Sequence, residues 1–391
     1  MRALLVLLHR WFGLFIAGFL ALSGLTGAVI SWDHALDAWL NPTLYHAATA
    51  GAPQPPLQLA QQLETADPRV QITFLPLALA PGEALQLRVG PRPGTGVTAA
   101  ALGFNQLALD PATGAEQGRR QWGEISLARE NLLPFLYKLH YSLHIPDGLG
   151  LELGVLFMGI VALVWVVDTA VALVISFPSR HTWRKSFAFR WRDGGYRLHF
   201  DLHRSGGVWV WLLLLIVAVT SVSMNLNTQV VRPLVAYFAP LSPSPFAQRV
   251  AQPPAAQTGP RVSREHVVAS AVAEARRRGW QDAPGGLFYS PEFDVYGVGF
   301  YPPERAHGDG GLGNAWLYFD GRTGHAAGDN VPGQGSWGDV FLQAQFPLHS
   351  GRILGLPGRV LISLLGLVVF MLSLTGIVIW SRKRRARRWR A

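Results

Sequence analysis

Four histidines occupy matched positions in this sequence. His9 and His203 each precede a long apolar segment at its amino end, whereas His140 and His349 each follow a leucine shortly before another such segment. Imidazole nitrogen is a common ligand of haem iron and of other transition metals. The chain contains no cysteine, so it has no thiolate for zinc, for an iron–sulfur cluster or for covalent haem. The four histidines therefore predict non-covalently bound haem.

An internal repeat assigns these histidines to pairs. The turn signature Asp-x-x-Thr-Gly occurs at residues 110–114 and again at 320–324, and each copy lies between two apolar segments. Parallel repeats are related by an axis along the membrane normal, and equivalent residues face one another across such an axis. We therefore expect the inner histidine pair, His9 with His203, to hold one haem, and the outer histidine pair, His140 with His349, to hold a second.

Three further histidines are alternative ligands. His144 follows His140, and His203 follows His199, at the i, i+4 spacing that places two imidazoles on one helix face. Either member of each close pair could be the ligand, and His34 is an additional candidate for the outer haem. A lone histidine at a membrane interface can also be simply a hydrogen-bonding residue. Neither close pair has an acidic third ligand at a recognised spacing, so no zinc site is predicted.

Asp168 lies within an apolar segment, where a charged side chain is costly and is usually functional. It is a candidate proton relay or a partner of a haem-bound group, and the alternative is a neutral, hydrogen-bonded acid that faces other helices. Residues 308–313 formally match the dinucleotide-binding pattern of glycines, but no βαβ unit surrounds them. The electrons must therefore come from a separate donor, either a quinol or a cytoplasmic reductase.

Long apolar segments position these residues. The chain is 49% hydrophobic and only 15% charged, which is typical of a membrane protein. Residues 11–31, 153–176, 205–227 and 360–381 each reach the roughly 20 residues that a helix needs to cross a bilayer. Because backbone groups in lipid must satisfy one another, such segments are helical. The sequence therefore predicts an integral membrane protein with an all-α four-helix transmembrane bundle and a parallel internal repeat.

Basic residues cluster beside these segments. Arg2, Arg10, residues 180–204 and residues 382–390 hold 16 of the 34 basic residues but only two of the 24 acidic ones. Under the positive-inside rule, both termini and the middle loop face the cytoplasm. The same clusters explain the net charge of +10 as topology signals in contact with membrane lipid. No nucleic-acid partner is predicted.

The resulting domain prediction alternates membrane and outer regions. We predict transmembrane helices at 1–32, 151–177, 205–227 and 357–381, a cytoplasmic basic loop at 178–204 and a basic tail at 382–391. The outer regions, 33–150 and 228–356, contain short alternating stretches typical of strands. Residues 262–278 instead have a helical pattern, with Ser263 as its cap. Each outer region is predicted to be a separate α+β domain.

Several of these motifs together resemble a known family. The sequence looks like the PepSY-associated transmembrane family, and this likeness rests on the two Asp-x-x-Thr-Gly turns and on segments 9–13, 139–143, 348–351 and 358–359. Within that family it is similar to siderophore reductases of the FoxB type. The resemblance implies a bacterial inner-membrane oxidoreductase with two b-type haems and periplasmic PepSY-like domains. It also implies that the substrate is ferric iron in a hydroxamate siderophore.

Two other functions are compatible with the sequence. Parallel repeats also occur in transporters, so the chain could be a permease for iron or siderophore. It could instead be a membrane anchor whose outer regions bind a peptide or a periplasmic protein. Broken helices or several charges within the membrane would favour transport, and haem would exclude the simple anchor.

Overall fold

The computed structural model describes residues 1–179 and 181–388. Arg180 of the predicted basic loop and residues 389–391 of the predicted basic tail lie outside the described residues. The chain divides into two compact units. The helical unit comprises Met1–Asp33, Leu136–Phe238 and the chain from Ala344 onward, and the sheet unit comprises His34–Phe135 and Ala239–Gln343.

Helices make up most of the described chain. In chain order they are α1 (Arg2–Ile30), α2 (Asp33–Leu40), α3 (Pro42–Tyr45), α4 (Pro56–Ala66), α5 (Ala99–Leu102), α6 (Leu132–Ser142), α7 (Leu153–Ser176), α8 (Gly195–Trp209), α9 (Trp211–Asn225), α10 (Arg232–Phe238), α11 (Pro245–Gln248), α12 (Arg264–Arg277), α13 (Trp337–Ser350) and α14 (Leu356–Arg388). Short 3₁₀ turns occur at Trp183–Ser186, Pro254–Ala256, Pro303–Arg305 and Arg352–Leu354, and one π-helical turn at Asn227–Val231.

The strands of the described chain form one antiparallel sheet. They are β1 (Val70–Pro76), β2 (Leu85–Pro91), β3 (Gln106–Leu109), β4 (Glu116–Arg120), β5 (Pro284–Ser290), β6 (Val295–Phe300), β7 (Ala315–Asp320) and β8 (Ala326–Asn330). The spatial order is β4-β3-β2-β1-β5-β6-β7-β8, so each half of the chain contributes a four-stranded meander. The two meanders have the same strand order, running outward from the centre of the sheet.

The predicted all-α four-helix transmembrane bundle is wrong, because the protein contains this eight-stranded sheet. The prediction of two separate outer domains is also corrected, since both outer regions share the sheet. Its halves join where β1 pairs with β5, at Phe74 opposite Phe288 and Leu75 opposite Leu287. A meander alone would leave the N–H and C=O groups of β1 unpaired along one edge. Pairing with β5 satisfies them, and a single-segment pattern does not reveal that pairing.

The third predicted span is broken. Among the described residues, α1, α7 and α14 are long and apolar enough to cross a membrane, whereas α8 and α9 meet at a bend of 72°. The break is at Val210, whose ψ of 10° leaves the helical region. The indoles on either side fix the bend, because Trp209 donates to the Phe187 carbonyl and Trp211 to the Thr169 carbonyl. Hydropathy measures apolar length and carries no information about helix direction.

Two helices supply the apolar residues that cover the sheet. Leu59 of α4 and Val267 of α12 are fully buried in one core cluster with side chains from both meanders. The predicted helix at 262–278 is confirmed as α12, and the Ser263 hydroxyl accepts a hydrogen bond from the backbone N–H of His266. Burial of these apolar faces, at about 25 cal/mol per Å², is the main stabilising contribution to the sheet unit.

The two Asp-x-x-Thr-Gly turns have the same geometry. Asp110 accepts hydrogen bonds from the backbone N–H and the hydroxyl of Thr113, and Asp320 accepts the same pair from Thr323. Each turn ends at a glycine with a φ near +75°, a conformation that disfavours other residues. The turns connect β3 to β4 and β7 to β8, which are the outermost hairpins of the two meanders.

Replacing Asp320 by asparagine should destabilise the folded protein in a pH-dependent way. Partial burial raises the pKa of Asp320, but hydrogen bonds from Thr323 and Arg249 outweigh this and lower the pKa to about 2. The carboxylate therefore contributes stability that is present above pH 4 and is lost as the pH falls through 2. Allowing for solvent screening, we expect the free energy of unfolding of the variant to be about 1 kcal/mol lower than that of the wild type at pH 7.

Thermal unfolding of the full chain in detergent at several pH values would measure this loss. The difference in stability between Asp320→Asn and wild type should become smaller as the pH falls from 4 to 2. Asp282→Asn is the matched control, because Asp282 makes an exposed ion pair with Arg305 and its replacement should have little effect. A destabilisation by Asp320→Asn that persists unchanged at pH 2 would contradict the assignment.

The first and last long helices cross at two glycines. A Cβ placed on Gly24 of α1 would lie 2.5 Å from the backbone oxygen of Gly366 in α14, and a Cβ on Gly366 would meet the oxygen of Gly24. Small residues at such a crossing let two helix backbones approach closely, which favours packing in lipid. This contact fixes α1, which carries His9 at its amino end, against α14.

Candidate functional site

The inner histidine pair joins α1 to α8. The rings of His9 and His203 have their centroids 5.9 Å apart, with an angle of 45° between the planes. His203 also lies against α14, since a Cβ on Gly376 would be 3.1 Å from its Cε1 atom. The structure therefore brings together two residues that are 194 positions apart in the sequence.

Each ring of the inner pair is hydrogen-bonded through Nδ1. His9 Nδ1 is 2.8 Å from the Oδ1 atom of Asp168 in α7, which is buried. His203 Nδ1 is 2.9 Å from the backbone oxygen of Leu372 in α14 and 3.3 Å from the hydroxyl of Thr375. A carboxylate and a carbonyl oxygen are acceptors, so in both rings Nδ1 donates the proton.

The outer histidine pair joins α6 to α13. The ring centroids of His140 and His349 are 6.2 Å apart, with an angle of 62° between the planes. His140 Nδ1 is 3.1 Å from the hydroxyl of Thr26 in α1, and His349 Nδ1 is 3.1 Å from the hydroxyl of Thr220 in α9. Both threonine hydroxyls donate to backbone carbonyls one turn earlier in their own helices. They therefore accept from Nδ1–H of the histidines.

All four environments select the same imidazole tautomer. With Nδ1 protonated and donating, a neutral imidazole carries its lone pair on Nε2. Histidines that bind metals are held in this way, because the second ring nitrogen donates to a carboxylate, a carbonyl or another polar group. These hydrogen bonds leave the lone pair of each ring on Nε2, where it could bind a metal, with two such atoms at each end of the helical unit.

The spacing of each pair fits one metal ion held between two imidazoles. With metal–nitrogen bonds of about 2.0–2.1 Å, two imidazoles on opposite sides of an ion have ring centroids roughly 6 Å apart. The measured separations are 5.9 Å and 6.2 Å. No group of three or more potential ligands is placed to hold a metal anywhere in residues 1–179 and 181–388. Two nitrogens per site suit haem, whose macrocycle supplies the remaining ligands.

A comparison of the whole chain with family models supplies the identification. The model described as the PepSY-associated TM region matches residues 6–383. The chain belongs to the PepSY-associated transmembrane family. The family resemblance found in the sequence is thereby confirmed, and this is a membrane protein associated with PepSY domains. No curated protein matches the chain.

In this PepSY-associated protein the inner pair opens into a large cavity. Its volume is about 1010 Å³, which reaches the upper end of the range for cofactor and ligand pockets. The walls include His9, His203 and Asp168 with apolar and aromatic side chains between them. The lining also carries basic side chains, whose positive charge is opposite to that of the two haem carboxylates. They are Arg2, Arg10, Arg204, Lys383, Arg384 and Arg387.

The alternative histidines of this family member lie elsewhere. His34 belongs to the sheet unit, where its ring packs against His307 at 4.2 Å and against Tyr45 at 5.0 Å. His144 follows the end of α6 in a turn with a φ of 54°. His199 lies in the first turns of α8 and its Nδ1 is hydrogen-bonded to the Gly195 carbonyl. The structure instead brings together His9 with His203 and His140 with His349.

Asp168 was singled out in the sequence, whereas the threonine acceptors of the outer pair were missed, although their spacing was available. Thr26 follows His9 by 17 residues, and Thr220 follows His203 by the same 17. The repeat therefore predicts two equivalent threonines on α1 and α9, at the ends that approach the outer pair. Leu372 could not be found in this way, since its contribution is a backbone oxygen, which any residue has.

Proposed function

We propose that this protein is a di-haem oxidoreductase that carries electrons across the bacterial inner membrane and reduces ferric iron bound to a hydroxamate siderophore. His9 and His203 would hold one b-type haem, and His140 and His349 the other. The observation that carries the proposal is the hydrogen bonding of all four rings through Nδ1, which directs Nε2 to a metal. Haem supplies one-electron redox chemistry at each site.

The positions of the two pairs suit transfer across a membrane. His9 and Thr26, which contact the two sites, are 17 residues apart on α1, a distance of about 25 Å along a helix. That distance covers most of the ~30 Å hydrocarbon core. The excess of basic residues near His9 and His203 favours a cytoplasmic position for the inner site, and residues 33–150 and 228–356 would then be periplasmic.

The proposed reaction balances with a simple donor. Hydroxamate oxygens are hard ligands that bind Fe(III) far better than Fe(II), so one electron loosens the complex and releases Fe(II). The electron would come from a quinol or a cytoplasmic reductase. A quinol gives up two electrons and two protons, and so reduces two ferric ions. The protein positions and tunes the redox centres, and none of its side chains acts as a nucleophile.

The visible spectrum of the purified protein tests the proposal. We expect a Soret band that shifts on addition of dithionite, a content of about two haems per chain, and reoxidation of the reduced haems by ferric hydroxamate siderophore. An iron-free hydroxamate is the matched control and should leave the haems reduced. A protein without a Soret band, or reduced haem that ferric siderophore does not oxidise, would refute the reductase.

One observation favours transport as a second function. The bend between α8 and α9 at Val210 resembles the discontinuous helices that form binding sites in transporters. The break is a single residue, however, and both sides of it are tied by indole hydrogen bonds. Vesicles containing the protein would separate the two functions. A permease would accumulate intact radiolabelled ferric siderophore without any reductant, whereas the reductase would not.

A further inference from the structure

The two copies of the repeat differ at one buried position. His9 Nδ1 donates to the Asp168 carboxylate, whereas its repeat equivalent His203 donates to the Leu372 backbone carbonyl. At the outer pair both rings donate to neutral threonine hydroxyls. Among the four paired histidines in the described chain, His9 alone therefore has an anionic hydrogen-bond partner.

Asp168 and Leu372 occupy equivalent positions. Gly154 of α7 packs against the carbonyl of Ser142, which ends α6, and Gly358 of α14 packs against the carbonyl of Gly351, just after α13. Asp168 lies 14 residues after Gly154, and Leu372 lies 14 residues after Gly358. The carboxylate is thus a departure from the repeat at a position whose other copy supplies only a backbone oxygen.

We propose that Asp168 lowers the reduction potential of the inner haem below that of the outer haem, so that electrons flow outward. This inference rests on the proposed function. Asp168 acts through His9 and is a positioning and tuning residue that contacts neither substrate nor iron. Its role gives the transfer a direction, which the symmetry of the repeat by itself would not provide.

The hydrogen bond between Asp168 and His9 determines the direction of the change in potential. A carboxylate that accepts the Nδ1 proton increases electron density on the imidazole and makes Nε2 a more basic ligand. A more basic ligand, together with a buried negative charge nearby, stabilises Fe(III) relative to Fe(II). The inner haem is therefore harder to reduce. Threonine hydroxyls that already donate their own protons provide no such charge at the outer site.

The basic residues on the same cavity do not cancel this effect. In the proposed assignment the two haem carboxylates would offset part of these six positive charges. Asp168 is only 7% exposed and is hydrogen-bonded to the ligand itself. Its charge is therefore less screened by water than those of the exposed residues Arg2, Lys383, Arg384 and Arg387.

The test is the potential of the inner haem alone. In a His349→Ala background only the inner haem should remain, and a spectroelectrochemical titration at fixed pH gives its midpoint. Adding Asp168→Asn should raise that midpoint, so that at a given applied potential the ratio of reduced to oxidised haem rises about tenfold. Asp193→Asn is the control, because it removes the same charge from an exposed ion pair with Arg197 and should change nothing.

An unchanged midpoint in Asp168→Asn, or an equal shift in Asp193→Asn, would overturn the inference. If Asp168→Asn cannot retain haem, Asp168→Glu in the same background decides the matter. Glutamate retains the carboxylate, so its haem should stay at a lower potential than the outer haem measured in His203→Ala, and a midpoint equal to that of the outer haem would overturn the inference. A wild-type chain without haem would instead refute the proposed function, which separates the two failures.

Discussion

Replacing His349 by alanine is expected to reduce the haem content to about one per chain and to abolish reduction of ferric siderophore. His349 faces His140 at 6.2 Å, and its Nδ1 is held by Thr220, so alanine removes one of the two proposed ligands of the outer site. We expect His140 alone to hold the outer haem too weakly for it to be retained through purification, because that site would lose half of its protein ligands. A pyridine haemochrome assay with an activity measurement would show it.

The alternative histidines provide matched controls for this experiment. His144→Ala and His199→Ala remove imidazoles from the same segments and should leave about two haems per chain. Retention of both haems in His349→Ala, together with a loss in His144→Ala, would make His144 the ligand. His203→Ala should instead leave the outer haem reducible by dithionite but no longer by the physiological donor.

The pairing of the histidines could be predicted from the sequence because the repeat preserves residue identity. His9 and His203 lie at the same place in each copy, and so do His140 and His349, so the pseudo-twofold axis alone predicts which rings meet. The acceptors of the outer pair follow the same rule at Thr26 and Thr220. The acceptors of the inner pair do not, because one is the Asp168 side chain and the other is a backbone oxygen.

The fold was predicted less well, for two separate reasons. Alternating residues indicated strands in each outer region, but the contact of Phe74 with Phe288 depends on which strand edges remain unpaired, and this is a property of the whole chain. The bend at Val210 depends on hydrogen bonds from Trp209 and Trp211 to distant carbonyls. Local patterns report composition and period, and neither determines a pairing between remote segments.

Replacing Gly24 by alanine is expected to disrupt the crossing of α1 and α14. The new Cβ would lie 2.5 Å from the Gly366 backbone oxygen, and a backbone atom cannot rotate away as a side chain can. The helices must separate, at a cost of about 1–3 kcal/mol in the free energy of unfolding. Thermal unfolding in detergent would measure that loss, and size-exclusion chromatography would detect aggregation.

Gly18→Ala is the control within the same helix. A Cβ at Gly18 meets no atom within 4 Å, so the higher helix propensity of alanine should leave stability unchanged or raise it by up to about 1 kcal/mol. Equal effects of the two substitutions would show that the crossing does not depend on a close backbone approach.

The Gly24→Ala substitution should also affect binding of the proposed outer haem. Thr26, which holds His140 in its Nδ1–H form, lies in the same turn of α1 as Gly24, and a Cβ on Gly27 would be 2.9 Å from His140 Cε1. Moving this turn away from α14 should therefore loosen the outer pair before the inner one, whose proposed ligand His9 lies four turns earlier. We expect Gly24→Ala to lose outer haem preferentially, as an absorbance decrease confined to the component that His349→Ala removes. Equal loss of both haems would indicate general unfolding and would contradict the local coupling of this crossing to the outer pair.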